Sequence, residues 1–129
     1  MERYARQVRF PGIGEDGQAR LGASHAVLVG CGALGTVLAN IMVRAGVGTL
    51  TIVDRDYVEL SNLQRQILFD EADAAQSLPK AIAAGRKLSA LNSDINIQPH
   101  AADLTPANVE ELLSGAGLVL DGTDNFQTR

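Results

Sequence analysis

An α/β fold with a mostly parallel sheet is predicted by three features of this 129-residue sequence. The continuous apolar run Ala26-Val27-Leu28-Val29 enters the glycine loop Gly30-Cys31-Gly32-Ala33-Leu34-Gly35, as a strand buried on both faces does before a helix. Apolar residues then recur at helical spacing directly behind the loop. Short apolar runs and helical segments go on alternating toward the C-terminus, the pattern of parallel strands joined by helical crossovers. Together they describe a Rossmann-like three-layer arrangement.

The elements follow in order. Residues Met1 to Pro11 read as an arm, and Glu15 to Leu21 as a short helix. After the first strand, Leu34, Leu38, Ile41, Met42 and Ala45 place a helix over residues 33–45, with Gly46 as its terminator. Leu50-Thr51-Ile52-Val53 forms the second strand and closes on Asp54. A helix is predicted from Pro79 to Leu91, bounded by Asn92, because proline suits a first helical turn. The third strand is Ile95-Asn96-Ile97, followed by a helix near Pro106 to Leu113 and a fourth strand, Leu118-Val119-Leu120, that ends at Asp121. Nine residues remain after Leu120. Doubly wound sheets usually continue, and an apolar edge strand is normally covered. A sheet truncated after its fourth strand is therefore expected, belonging to a fragment or to a subunit completed by a partner. Residues 1–24 form the arm and short helix, and residues 25–129 the nucleotide-binding domain.

With 46% hydrophobic and 20% charged residues, the composition is that of an ordinary globular domain, and few aromatics among many small residues suit close helix-on-sheet packing. A net charge of −4 offers no general footprint for nucleic acid, so any anion site must be built locally. The apolar stretch from Ala33 to Val43 is interrupted by Asn40 and is shorter than the ~20 residues of a membrane span. No membrane crossing is expected. The first residues lack the apolar core of a secretion signal, and a cytoplasmic location is expected. A single cysteine, Cys31, excludes an internal disulfide and a cysteine-rich zinc site within this chain.

Gly30, Gly32 and Gly35 stand where unpaired amides at a helix N-terminus meet an approaching anion. Such a loop alone does not separate ATP from NAD. Asp54, at the end of the second strand, suits a pair of ribose hydroxyls, and Asp56 either reaches the phosphate or metal region or is solvated. Asn62, Arg65 and Lys80 add polar and cationic groups beyond the dinucleotide minimum, which points to the larger phosphate charge of ATP. Lys80 is the most telling, since a cation in the first turn of a helix opposes the helix dipole unless an anion is near. Its alternative is solution pairing with Asp70, Glu71 or Asp73. An aspartate in Asp121-Gly122-Thr123-Asp124-Asn125 is suited to hold Mg²⁺. Cys31 reads as a small buried filler, and His25 and His100 as structural or exposed.

Taken together these residues resemble the adenylating domain of the ThiF/HesA/MoeB family, related to ubiquitin-activating enzymes. The matching pieces are Arg3-Tyr4-Ala5-Arg6-Gln7, the glycine loop, Ala45-Gly46-Val47-Gly48, Asp54-Arg55-Asp56 leading into Ser61-Asn62-Leu63-Gln64-Arg65-Gln66, Pro79-Lys80-Ala81 and Asp121-Gly122-Thr123-Asp124-Asn125. The resemblance implies that Asp54 binds ribose, that Asn62, Arg65, Gln66 and Lys80 line the phosphates, that Asp124 serves Mg²⁺, and that Arg6 reaches into the active site of the opposite subunit of a homodimer. It further implies adenylation of the C-terminal glycine of a ubiquitin-like sulfur carrier, in molybdopterin or thiamine synthesis. One departure is Ser77-Leu78, where relatives commonly carry a glycine before the Pro-Lys pair. The regions in which relatives carry zinc-binding cysteine pairs and a crossover loop are absent from these residues.

Three other readings share parts of this pattern. An NAD-dependent oxidoreductase shares the loop and Asp54 but leaves Arg6, Arg65 and Lys80 unexplained. A non-catalytic dimerisation partner predicts loss of the phosphate residues, which are all present. Adenylation of a non-carrier substrate, such as a transfer RNA nucleoside or a peptide, is compatible with every residue named.

Overall fold

A computed structural model describes residues 2–123. Ten elements are labelled here: α1 (Ala5–Arg9), α2 (Gly14–Gly22), β1 (His25–Val29), α3 (Ala33–Ala45), β2 (Thr49–Val53), α4 (Glu71–Ala75), α5 (Lys80–Leu91), β3 (Asn96–His100), α6 (Val109–Leu113) and β4 (Leu118–Asp121). The four strands form one all-parallel sheet in the order β3-β2-β1-β4.

The continuous apolar strands are explained by burial on two faces. From β1, Ala26 and Leu28 enter a core shared with Ala39 and Val43 of α3 and with Ala81, Ala84 and Leu88 of α5. Val27 and Val29 pack the opposite face, against Leu112 and Leu113 of α6. This is the expected three-layer arrangement, and the period of two along β1 assigns alternate residues to its two sides. Helix α3 spans the predicted residues, and Gly46, at φ 93°, closes it by donating its N–H to the Met42 carbonyl at 3.1 Å.

Several boundaries differ from expectation. The arm is not extended, because residues 5–9 coil into α1, which packs on α2. Strand β3 starts one residue later and ends three residues later than its apolar run suggests. Pairing in register with β2, from Thr49 against Asn96 to Val53 against His100, carries it through Gln98 and Pro99. Proline is tolerated there because β3 is an edge strand among the described residues. Helix α6 starts at Val109 rather than near Pro106, since residues 105–108 form a turn in which the Asn108 side chain accepts from the Thr105 N–H at 2.8 Å. Helix α4, missed in the sequence, is a single five-residue turn whose Asp70 and Asp73 cap one another, too short to show a period. At the other edge, Leu118 and Val119 of β4 are 54% and 46% exposed, the apolar edge that the sequence predicts.

Candidate functional site

The chain steps outward from β1 to β2 and β3, then returns to the far side of β1 as β4. Ligands settle at such reversals, beyond the carboxyl ends of the strands. A crevice of about 530 Å³ opens there, lined by the loops that leave β1, β2, β3 and β4 and by Lys80 at the start of α5.

The glycine loop is built by close backbone approach. Gly30 takes φ 93°, donates its N–H to the Val53 carbonyl at 2.8 Å, and leaves no room for a Cβ against Gly122 and Thr123. A Cβ on Gly35 would overlap the Gly30 carbonyl oxygen. The loop thus locks β1, α3 and the end of β4 together. Helix α3 starts at Gly32 with no side-chain cap, so its first-turn amides and the positive end of its dipole are available to an anion.

Asp54 is fixed by two backbone donors: the Cys31 N–H to Oδ2 and the Asp56 N–H to Oδ1, each at 2.7 Å. Each oxygen keeps a lone pair for a hydroxyl. Cys31 is fully buried beneath it, and burial, with Asp54 adding to the effect and Lys80 opposing it, pushes its thiol up to about 12. The thiol stays protonated and is a filler rather than a nucleophile, as the sequence suggests.

The segment behind Asp56 turns Asn62 and Gln66 inward, to 8% and 4% exposure. Asn62 accepts from the Glu59 N–H through Oδ1 at 2.8 Å, and Arg65 donates to the Ser61 carbonyl at 2.9 Å. Gln66 Oε1 is buried with no hydrogen-bond partner among the described residues. Lys80 is 7% exposed and forms no ion pair with any described carboxylate. The pairing considered for it goes elsewhere: Lys87 takes Asp70 at 3.1 Å. The Asp73 amide first, then Lys87, hold the Asp70 carboxyl below its ordinary value. Among the described residues, a largely buried lysine without an ion pair and an orphaned amide oxygen therefore share one crevice. That is a poor arrangement for an empty protein and a good one for a bound polyanion with donors of its own.

Of the predicted site residues, Gly30, Gly32, Asp54, Asp56, Asn62, Arg65, Gln66 and Lys80 all line the crevice, and Gly35 supports the loop beneath it. Arg6 is exposed on α1 and does not line it. The predicted metal ligand, Asp124, lies outside the described residues. Asp121 accepts from the Thr123 N–H at 2.9 Å, and no group of three or more metal-ligating side chains occurs among the described residues. Arg55, Ala102, Asp103 and Leu104 also line the crevice and were not picked out from the sequence. The signal for the last three was the rule that ligands sit beyond strand ends, hidden because β3 was ended too early.

This geometry is matched by sequence: the ThiF family model covers residues 4–129. The chain belongs to the ThiF family. A relative from Bacillus subtilis, the sulfur carrier protein ThiS adenylyltransferase, is 50% identical over 98% of this chain and 38% of its own length. The sulfur carrier protein adenylyltransferase of Thermus thermophilus is 41% identical over 100% of this chain and 47% of its own. The ThiF-family chain thus spans less than half the length of these curated relatives. Among solved structures, the E. coli tRNA N6-threonylcarbamoyladenosine dehydratase TcdA in complex with AMP superposes with a TM-score of 0.88 at 27% identity, covering 96% of this chain and 49% of that one.

Proposed function

We propose that this chain is the nucleotide-binding portion of an enzyme that uses ATP to adenylate the C-terminal glycine carboxylate of a ubiquitin-like sulfur carrier protein of the molybdopterin or thiamine type, releasing pyrophosphate. The observation that carries the reading is Lys80, a side chain only 7% exposed that forms no ion pair with a described carboxylate, in a crevice that also holds an uncapped helix N-terminus and a fixed carboxylate. A nucleoside triphosphate supplies what each lacks. Its phosphates meet Lys80, Arg65, Asn62, Gln66 and the loop amide at Gly32, with Gly30 and Gly35 shaping the loop that presents it, while its ribose hydroxyls meet Asp54. Asp56 lies beside the same phosphates.

The chemistry asks little of a general base. A C-terminal carboxylate, with a pKa of ~3.5, is already ionised. Its oxygen bonds to the α-phosphorus as the bond to the pyrophosphate oxygen breaks, and the charge that grows on the phosphates is met by Lys80 and Arg65. Arg6 serves the crevice of a second copy in a homodimer. Mg²⁺, held by Asp124, neutralises phosphate charge when bound. A cytoplasmic, membrane-free setting goes with this reading, and no helix among the described residues is long and apolar enough to cross a membrane.

The likeness to TcdA favours a second reading, in which the same ATP site activates a transfer RNA nucleoside rather than a carrier. The net charge of −4 weighs against a nucleic-acid partner. Calorimetry with Mg·ATP and with NADH, each repeated on Arg65→Ala, tests the common core. Binding of ATP that weakens in the variant, without an NADH signal, supports adenylation. NADH binding indifferent to Arg65 sinks it. Pyrophosphate exchange dependent on a carrier ending in glycine then separates the two acceptors.

A further inference from the structure

Two cations that line the crevice are treated oppositely by their surroundings. Lys80 is largely buried and forms no ion pair among the described residues, whereas Arg55 is held between acids from two loops: Asp103 Oδ2 lies 3.4 Å from its Nη1 and Asp56 Oδ1 lies 4.0 Å from its Nε. The side chains of Arg55 and Asp103 are 60% and 47% exposed, so the pair is a bridge over the crevice rather than part of a core. With its charge locally balanced, Arg55 has little left to offer a phosphate. What it offers is a planar guanidinium fixed in one orientation, which suits the face of an aromatic ring.

The sheet order says where such a ring falls. Strand ends run β3, β2, β1, β4 across the crevice. On the nucleotide reading above, on which this inference rests, phosphates occupy the loop after β1 and the ribose sits on Asp54 at the end of β2. The base then continues in the same direction, over the end of β3. The residues at that end are Ala102, Asp103 and Leu104, with Arg55 arching across from the ribose acid's neighbour. Ala102 and Leu104 are the apolar residues at this end, and Val53 of β2 also lines the crevice.

We propose that Arg55 is a base-contacting residue, its guanidinium stacking on the nucleobase, and that Asp103 is the positioning residue that holds the plane in place. The partners come from loops 48 residues apart, so the clamp exists only when β2 and β3 are paired in register. Because stacking uses a π-face common to all bases, the clamp adds affinity for a nucleotide without choosing strongly among bases.

Titration of the full chain with Mg·ATP and, separately, with inorganic tripolyphosphate tests this, using wild type, Arg55→Ala, Arg55→Lys, Asp103→Asn and the double variant Arg55→Ala with Asp103→Asn. Arg55→Ala is expected to weaken ATP ~5- to 20-fold and to leave tripolyphosphate unchanged. Arg55→Lys keeps the charge but loses the plane, and is expected to fall close to Arg55→Ala. Asp103→Asn should weaken ATP less, and should add nothing in the Arg55→Ala background. Equal weakening of ATP and tripolyphosphate, full rescue by lysine, or no change in any variant would each overturn the clamp while leaving the ATP site standing. Tripolyphosphate binding by wild type without ATP binding would overturn the nucleotide reading, and the clamp with it.

Discussion

Buried polar groups gather at both ends of α3, and the two groups differ in how they are satisfied. At the C-terminal end every partner is internal. Gln7 Nε2 donates to Gln18 Oε1 at 2.7 Å and to the Ala45 carbonyl at 3.0 Å, and Gln18 donates to the same carbonyl. Asn92 Nδ2 donates to the Tyr4 hydroxyl at 2.8 Å and to the Val43 carbonyl at 2.9 Å. At the N-terminal end, roughly 20 Å away along a helix of this length, Lys80 and Gln66 Oε1 have no such partners among the described residues. A closed network stabilises the fold by tying the N-terminal segment onto α3 and α5. An open one costs stability and is explained by what it binds.

The comparison predicts that damage at one end lowers affinity and damage at the other lowers stability. The largest effect is expected for Lys80→Met, which keeps the volume and removes the charge. Calorimetry should read a loss of ATP affinity on the order of 30- to 150-fold, about 2 to 3 kcal/mol for a charge-assisted contact. Its melting temperature should hold or rise, because Lys80 forms no described ion pair that the substitution would break, and methionine suits a side chain only 7% exposed. A destabilised Lys80→Met would place Lys80 with the structural group instead.

Asn92→Ala is the mirror experiment. Asn92 is 1% exposed and joins the arm to α3, so its loss should cost about 2 to 3 kcal/mol in urea unfolding, with ATP affinity unchanged in the folded protein. A drop in affinity equal to that of Lys80→Met would dissolve the distinction between the two ends.

Cys31 sharpens the contrast through pH. The folded chain keeps the thiol proton up to about 12, whereas an exposed thiol releases it near 9.0. The stabilisation is complete below the lower value and is lost as pH rises through this window, with a slope of at most ~1.4 kcal/mol per pH unit. Wild type should therefore destabilise more steeply than Cys31→Ala above pH ~9 in alkaline unfolding series. Parallel curves would mean that the thiol is not shielded.

The smallest effect concerns Ser77, the position where the resemblance led us to expect a glycine. Its φ of 48° is left-handed, so the backbone that glycine favours is kept without the glycine. Ser77→Gly should be neutral or gain up to ~1 kcal/mol in thermal unfolding, with ATP affinity unaltered. A clear loss would show that the serine side chain compensates for the strained backbone.

How much of this was legible depended on distance along the chain. The glycine loop, the helix behind it with its Gly46 stop, and Asp54 at a strand end all follow from neighbours a few residues apart, through hydrophobic period and steric allowance. So did most of the polar lining of the crevice, because Asn62, Arg65 and Gln66 share one segment and Lys80 opens one helix. The end of β3 was misjudged because Gln98 and Pro99 look like breakers, and only pairing with β2 keeps them in the sheet.

By itself, then, the sequence determined the α/β class, the order of the four strands and the helices between them, and most of the residues that line the crevice, since these rest on local periodicity and on conformations that only certain residues allow. The tertiary structure decided which charges are left over. Lys87, not Lys80, claims Asp70, and Asp103 and Asp56 claim Arg55. Those choices depend on parallel register and helix packing that bring distant residues within a few ångströms, and no local pattern encodes which of several nearby acids a cation will meet.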